Sequence, residues 1–225
     1  MSFKKLHPII KNVLESKNIL SYAPIQKQII PYIKSGSSAY GIGPKGSGKT
    51  TALIMGVLQK LKCEAFEDED SPRAIIVVKD KQAVWDLAER FEEFTKHTNL
   101  RVYKAYQEFD LEKQREEVYH GVDILIVTPK RLNKLYYQNS LHMGELLLFC
   151  VYDADFLSRN EYHNDVLRMS ESVSNKCKFV IISETYNKKI ANYQDAFMYN
   201  SAYVEVKKAI EIPEVDIKTD DTSKE

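Results

Sequence analysis

The stretch that decides the fold is GPKGSGKTT, residues 43–51, which matches the pattern G-x-x-x-x-G-K-[S/T] of phosphate-binding loops. It follows the short apolar run Ser38–Ile42 and precedes the helical run Thr50–Lys62, an order that indicates a loop between a strand and a helix. Glycines allow backbone N–H groups to turn inward around an anion, and the N-terminus of the next helix adds partial positive charge. The pattern therefore predicts a site for the phosphates of a nucleoside triphosphate.

Two side chains of this loop have chemical roles of their own. Lys49 supplies a positive charge for the terminal phosphates, so we assign it a catalytic as well as a binding role. Thr50 supplies a hydroxyl for magnesium. The loop residues expected around the phosphates are Pro44, Lys45, Gly46, Ser47, Gly48, Lys49, Thr50 and Thr51.

The rest of the chain alternates short β-branched runs with longer helical runs. The predicted strands are Ser38–Ile42, Ala74–Val78, Leu100–Ala105, Asp123–Val127, Leu146–Tyr152, Phe179–Ser183 and Tyr203–Val206. The predicted helices between them are Thr50–Lys62, Lys81–Lys96, Leu111–Tyr119, Pro129–Tyr137 and Glu161–Glu171. Most strands are continuously apolar, which is typical of parallel strands covered on both faces. The pattern predicts an α/β fold with a doubly wound, mostly parallel sheet and helices on both faces.

Composition narrows the function classes. Lys+Arg and Asp+Glu balance at 32 each, so binding to nucleic acid would depend on a local patch rather than on net charge. Cys63, Cys150 and Cys177 are far apart and odd in number, which indicates buried thiols in a reducing compartment. No apolar run approaches the ~20 residues that span a bilayer, and the N-terminus lacks the pattern of a signal peptide. We therefore expect a cytoplasmic protein without a membrane segment.

The two ends of the chain differ from the middle. Residues 1–34 predict a helical extension with one helix around Lys5–Glu15 and another around Ile25–Ile33. Residues 211–225, EIPEVDIKTDDTSKE, carry six acids against two lysines and few core residues, which predicts a disordered acidic tail. Between them we expect one domain, which with the extension covers residues 1–210.

Four further stretches follow the order and spacing of a known family. They are NILSYAPIQ at 18–26, TPKR at 128–131, YDAD at 152–155 and SET at 183–185. With the phosphate loop, they make residues 3–206 resemble the first RecA-like domain of DEAD-box RNA helicases, a P-loop NTPase domain. The resemblance implies ATP and Mg²⁺ as cofactors and RNA as a partner.

The resemblance implies roles for individual residues. Gln26 matches the glutamine that hydrogen-bonds adenine, and Phe3 lies about where an aromatic side chain packs on the base. The implied contacts to the RNA backbone come from Lys81, Thr128, Pro129 and Arg131. The implied coupling of the nucleotide side to the RNA side comes from Asp155, with Ser183 and Thr185 hydrogen-bonding to it.

The stretch LFCVYDADF, residues 148–156, departs from the magnesium and water motif of the family. With Asp155 aligned on the last aspartate, Tyr152 stands at the first aspartate, which holds magnesium, and Asp153 stands at the glutamate, which activates the attacking water. In the alternative alignment Asp153 takes the metal role and an alanine stands at the position of the base. Asp153 is thus the predicted catalytic acid and, with Thr50, a predicted metal ligand.

In either alignment one of two acids is missing. A phenol with a pKa near ~10 stays neutral and is a poor substitute for a carboxylate beside a hard dication. Asp153 is one methylene shorter than glutamate, and catalytic geometry tolerates little displacement. We expect a weakened Mg²⁺ site and slow or absent hydrolysis.

The positions that face RNA also depart from the family. Lys79–Gln82 reads KDKQ where the family has PTRE, so Asp80 places a carboxylate where a hydroxyl is usual. Gln107 and Glu108 stand where the family has two glycines that allow close backbone approach to RNA. We expect RNA to bind more weakly than in a working helicase.

These observations favour a nucleotide-dependent module that binds RNA or protein, with little ATPase activity of its own and no unwinding alone. The alternative is a slow ATP hydrolase of the RNA helicase type that a partner domain or subunit completes. Because the chain ends soon after the last predicted strand, a second RecA-like domain is expected from a protein partner. A third hypothesis, a remnant that keeps only the fold, is disfavoured by the intact phosphate loop and Gln26.

Overall fold

A computed structural model describes residues 5–66 and 71–207 of the chain. Seven parallel strands, β1 to β7 in chain order, form one sheet in the spatial order β3-β4-β2-β5-β6-β1-β7. The strands are β1 Ala39–Ile42, β2 Ala74–Val77, β3 Val102–Ala105, β4 Ile124–Val127, β5 Leu148–Tyr152, β6 Lys178–Ser183 and β7 Ala202–Glu205. The helices are α1 Pro8–Ser16, α2 Pro24–Ser35, α3 Lys49–Lys60, α4 Lys81–Thr95, α5 Leu111–Tyr119, α6 Pro129–Tyr137, α7 Asn160–Ser170 and α8 Lys188–Ala196. A short 3-10 helix, Ala154–Ser158, follows β5.

Successive strand residues enter two separate cores, one on each face of the sheet. Ile76 and Cys150 belong to the core that α1 to α4 cover, whereas Ile75 and Phe149 belong to the core under α5 to α8. Side chains of a strand alternate between its faces, so burial on both faces requires the continuous apolar runs of the sequence. The predicted doubly wound parallel sheet is confirmed.

The predicted elements are found, and their ends shift by a few residues. All seven strands occur, although β3 begins at Val102 rather than Leu100 and β5 at Leu148 rather than Leu146. Helix α8 was not predicted. It begins after Asn187, whose Oδ1 accepts hydrogen bonds from the backbone N–H groups of Lys189 and Ile190 at 3.0 and 3.1 Å. This N-cap stabilises the start of α8, which has few apolar residues to bury.

Other expectations concern the thiols and the chain ends. Cys63, Cys150 and Cys177 are buried thiols. Phe3 and the acidic tail from residue 211 lie outside the described residues. Among the helices of the described residues, none has the length and apolar character to cross a membrane.

A buried carboxylate joins three segments at the amino end of the sheet. Asp123, whose side chain is 1% exposed, accepts hydrogen bonds from the backbone N–H groups of Phe66 and Arg101, both at 2.9 Å. The guanidinium groups of Arg73 and Arg101 each donate to it at 3.0 Å. Burial alone would raise the pKa of Asp123, but the hydrogen bonds and charge of Arg101, with the backbone N–H of Phe66, outweigh burial and lower that pKa.

We expect Asp123→Asn to lower the free energy of unfolding by roughly 1.5–3 kcal/mol at pH 7, because the charge-assisted hydrogen bonds are lost. Since folding lowers the pKa of Asp123, its contribution is present above the unfolded pKa of ~3.9 and is lost as the pH falls through the folded pKa. Urea unfolding at pH 7 and near pH 3 measures both effects. Glu89→Gln, which changes an exposed carboxylate on α4, is the matched control. A difference between wild type and Asp123→Asn that stays constant between the two pH values would contradict this prediction.

Candidate functional site

The carboxyl ends of the parallel strands lie along one edge of the sheet and bring the sequence motifs together. The adjacent strands β5, β6 and β1 place residues 152–155, residues 183–185 and the phosphate loop side by side. The adjacent strands β3, β4 and β2 place residues 106–109, residues 128–131 and residues 79–82 side by side. This edge is where open parallel sheets bind ligands.

The phosphate loop has the backbone that its glycines allow. Gly46 and Gly48 have φ of +83° and +90°, a region that side-chain-bearing residues rarely adopt. A Cβ atom at Gly48 would lie 2.7 Å from the Nε2 atom of Gln26, so a side chain there would displace the Gln26 amide from the loop. The buried Oγ of Ser47 has no hydrogen-bond partner among the described residues. The loop therefore fits a phosphate, whose oxygens accept from backbone N–H and hydroxyl groups.

The side chain of Lys49 is buried against the loop rather than extended into solvent. Its Nζ donates to the carbonyl oxygens of Gly43 at 2.5 Å and Pro44 at 2.8 Å. Burial lowers the pKa of Lys49, while the nearby carboxylates of Glu184 and Asp153 act in the opposite direction. The ammonium group is thus held at the mouth of the loop beside the acids that follow β5 and β6.

Gln26 connects α2 to the phosphate loop. Its Oε1 accepts from the backbone N–H of Ala23 at 2.9 Å, and its Nε2 donates to the carbonyl oxygen of Gly48 at 3.3 Å. The side chain is 6% exposed. Its contact with the loop is present, whereas its contact with adenine stays a prediction.

The centre of the site is a hydrogen bond between Thr50 and Tyr152. The Oγ1 of Thr50 and the Oη of Tyr152 lie 2.5 Å apart. Burial raises the pKa of Tyr152, and the hydrogen bond with Thr50 offsets part of that rise. The phenol is therefore neutral at pH 7, and its oxygen lies against the hydroxyl that a phosphate-loop threonine offers to magnesium.

A cleft opens between Tyr152 and helix α4. It measures about 490 Å³ and is lined on one side by Thr50, Tyr152 and Asp153. Asp86 and Arg90 of α4 line the other side. The sequence pattern does not indicate these two residues, because nothing in a helix's own spacing shows which strand end it faces.

Asp153 begins the turn after β5 in a left-handed conformation, with φ of +55° and ψ of +48°. This conformation is uncommon outside glycine, asparagine and aspartate. Within the described residues no group of three or more His, Cys, Asp or Glu side chains converges on a metal-sized site. Magnesium commonly takes one or two carboxylates together with phosphate oxygens, so Thr50 and Asp153 fit as ligands beside bound phosphates.

Asp155 links the end of β5 to the end of β6. Its carboxylate accepts from the Oγ1 of Thr185 at 2.6 Å and from the backbone N–H groups of Thr185 and Glu184 at 3.2 and 2.8 Å. The expected contact with Ser183 is absent from the structure. The Oγ of Ser183 donates instead to the carbonyl oxygen of Thr185 at 2.7 Å, so it stabilises the turn that presents Thr185.

The predicted RNA-contacting residues after β4 are mostly buried. Thr128 is 2% exposed, and its Oγ1 has no hydrogen-bond partner among the described residues. Pro129 occupies the first turn of α6 and is also buried. Arg131 is 3% exposed, and its Nη2 donates to the carbonyl oxygens of Gln107 and Phe109, both at 2.9 Å. In this structure Arg131 holds the loop after β3, and its contact with an RNA phosphate stays a prediction.

The residues after β2 have different local roles. Asp80 is the N-cap of α4, because its Oδ1 accepts from the backbone N–H of Ala83 at 2.9 Å. The unusual carboxylate is thus explained by helix capping. Lys81 is exposed at the first position of α4, where its ammonium is available to a phosphate.

Comparison with known proteins agrees with this geometry. The family model of the DEAD/DEAH box helicases matches residues 23–193. The ATP-dependent RNA helicase RhlB of Yersinia pestis is 28% identical over 207 residues, which cover 89% of this chain and 48% of the relative. RhlB of Yersinia pseudotuberculosis has the same identity and coverage. The chain thus spans about half the length of these curated relatives.

Solved structures give the same fold. The yeast DEAD-box splicing factor Prp28 superposes with a TM-score of 0.82 at 19% identity, over 91% of this chain and 50% of that one. A Saccharomyces cerevisiae Dbp5 variant bound to Gle1 and IP6 superposes with a TM-score of 0.78 at 18% identity, over 91% of this chain and 52% of that one. At these identities the likeness concerns the fold, and the family model gives the membership. The chain belongs to the DEAD/DEAH box helicase family.

Proposed function

We propose that this chain binds ATP at its phosphate loop, hydrolyses it weakly or not at all, and acts as a nucleotide-dependent module that binds RNA or a protein. The observation that supports the proposal is the 2.5 Å hydrogen bond between Thr50 and Tyr152. It places a phenol against the hydroxyl that would otherwise be free for magnesium. On this proposal, the site keeps its contacts to the phosphates and loses part of its contact with magnesium.

The chemistry of the site supports binding more than hydrolysis. Lys49, the loop N–H groups and the N-terminus of α3 stabilise phosphate charge without a metal. Magnesium, when bound, would neutralise phosphate charge and position oxygens for transfer. Tyr152 offers a neutral oxygen where a carboxylate binds best, and Asp153 is the acid next to it that is able to orient water.

The RNA and protein partners are also part of the proposal. Lys81 at the start of α4 offers a charge for an RNA phosphate, with Thr128, Pro129 and Arg131 beside it on the neighbouring strand. Because relatives of twice this length are known, a protein partner that supplies a second RecA-like domain fits the family. We place this activity in the cytoplasm, in keeping with the three buried thiols.

A second candidate function is a slow ATP hydrolase that a partner domain or subunit completes. Asp153 favours it, since this acid follows β5 directly and lines the same cleft as Thr50. A partner would then contribute the positive charge that stabilises the transition state of phosphoryl transfer.

Calorimetric titration of ATP, with and without magnesium, tests the main proposal alongside phosphate release from the same sample. We expect ATP to bind in both conditions with affinities within about fivefold of each other, which is about 1 kcal/mol. We expect phosphate release at the background rate. Release that magnesium stimulates and that Lys49→Ala abolishes would favour the hydrolase. An ATP affinity that depends wholly on magnesium would contradict the proposed role of Tyr152.

A further inference from the structure

Three aromatic side chains form a cluster of tilted rings at the carboxyl end of edge strand β3, with interplanar angles of 53° and 58°. Trp85 and Tyr106 have ring centroids 6.2 Å apart, and Tyr106 and Phe109 have centroids 6.1 Å apart. Trp85 is 45% exposed and Phe109 is 44% exposed, whereas Tyr106 is 7% exposed and supports them from below. We call Trp85, Tyr106 and Phe109 the aromatic platform.

Two lysines place positive charge directly on the platform. The Nζ of Lys104 lies 4.3 Å from the centroid of the Trp85 ring, and the Nζ of Lys81 lies 5.4 Å from the centroid of the Tyr106 ring. Such cation–π contacts hold each ammonium at a ring, from which a flexible four-carbon stem lets it reach an anion nearby. The platform is therefore apolar at its rings and cationic at two points beside them.

The platform borders a cleft of about 310 Å³, within the size range of ligand pockets. Gln114 of α5 lines the same cleft and is 0% exposed. Neither its Oε1 nor its Nε2 has a hydrogen-bond partner among the described residues. Burying an amide without hydrogen-bond partners costs free energy. The Gln114 amide carries both donor and acceptor groups, and the edges of nucleobases present both kinds of group as well.

We propose that the aromatic platform stacks an unpaired base of single-stranded RNA, with Lys104 and Lys81 contacting the flanking phosphates. This inference rests on the RNA-binding part of the proposed function, and it adds base stacking to the backbone contact proposed for Lys81. The family's glycine pair is Gln107 and Glu108 here, so the loop after β3 presents side chains instead of a bare backbone.

The charges around the platform define the path of a polynucleotide across it. Glu108 and Asp110 flank Phe109 in sequence and repel phosphates from that end. Lys104 at the Trp85 ring and Lys81 at the central Tyr106 ring attract them away from Phe109. A strand would therefore place its base on Trp85 and Phe109 and its phosphates on the lysine side.

Arg131 keeps the platform in place. Through its hydrogen bond to the carbonyl oxygen of Phe109, it fixes the segment that carries the outer aromatic ring. The buried guanidinium is thus a positioning group, and the exposed rings are the surface that meets the base.

Trp85 is the one tryptophan of the chain, so its fluorescence reports on the platform alone. The experiment titrates the full chain with a fluorescently labelled oligouridylate of about ten nucleotides at low salt. It follows the quenching of Trp85 fluorescence and the anisotropy of the label on the oligonucleotide. An abasic oligomer of the same length supplies the phosphates without bases. We expect the oligouridylate to quench Trp85 and to bind at least about fivefold more tightly than the abasic oligomer. DNA of the same sequence shows whether the ribose contributes.

Single variants distinguish the contribution of base stacking from that of electrostatic attraction to phosphate. Phe109→Ala should weaken the affinity for the oligouridylate about 5- to 100-fold, and Phe109→Tyr should keep it. Lys104→Gln should lower the slope of log K against log salt by about 0.7. Tyr137→Ala removes an aromatic ring that is 62% exposed on α6, away from the platform, and should change nothing.

The outcomes distinguish this inference from the proposed function. Quenching that persists in Lys49→Ala supports the platform even if ATP does not change RNA affinity. ATP binding without quenching by any oligonucleotide would overturn the platform and leave nucleotide binding intact. Equal affinities for the abasic oligomer and the oligouridylate, or wild-type binding by Phe109→Ala, would also overturn it.

Discussion

The double change Tyr152→Asp with Asp153→Glu is expected to raise the rate of ATP hydrolysis by about 10²- to 10⁴-fold over wild type. Tyr152→Asp replaces the phenol that holds the Oγ1 of Thr50 with a carboxylate for magnesium. Asp153→Glu extends the second acid by one methylene toward the attacking water. Phosphate release in saturating ATP and magnesium, with and without RNA, measures the effect.

Tyr152→Phe is the matched control for this prediction. It removes the hydroxyl and keeps the ring, so it frees Thr50 without adding an acid, and the rate should stay at background. If the double variant also stays at background while it still binds ATP, the two acids are not the missing groups. The slow hydrolase that a partner completes would then be the better explanation.

Lys49→Ala is expected to reduce the affinity for ATP by about 100-fold or more. The ammonium of Lys49 is buried at the mouth of the loop, and removing a buried charge that pairs with phosphate costs about 2–5 kcal/mol. Calorimetric titration measures this loss directly. Lys27→Ala, which removes an exposed lysine from α2 next to Gln26, should keep the wild-type affinity within about threefold.

An unchanged ATP affinity in Lys49→Ala would mean that the phosphate loop does not bind the nucleotide. Thermal unfolding of the same variant with and without ATP checks that the fold is intact, since a ligand stabilises only a protein that binds it. A folded variant that ATP still stabilises would contradict the role of Lys49.

The sheet could be predicted because its signal is local and repeated. Continuous apolar runs such as Ile75 and Ile76 require burial on both faces, and the phosphate-loop pattern fixes where the first strand meets its helix. Helix α8 escaped prediction because its stability comes from the N-cap Asn187 and from the burial of Ile190 and Tyr193. Few apolar residues in a short run give a weak periodic signal.

The residues of the site could be predicted from the sequence, but the hydrogen bonds between them could not. The sequence indicates that Tyr152 and Thr50 belong to one site, but their hydrogen bond depends on the register of β5 against its neighbours. Arg131 shows the same limit. A sequence motif identifies an arginine, whereas the loop after β3 determines that its guanidinium is buried against Gln107 and Phe109. Tertiary contacts decide which partner a polar group takes.

The strand order has a consequence for how two ligands share this molecule. Five strand-to-strand steps separate β1, which carries the phosphate loop, from β3, which carries the platform. At ~4.8 Å a step they lie about 24 Å apart, too far for one ligand to block the other. On the two proposals made above, ATP and RNA would therefore occupy the molecule at the same time. By thermodynamic linkage, the factor by which ATP changes the affinity for RNA then equals the factor by which RNA changes the affinity for ATP.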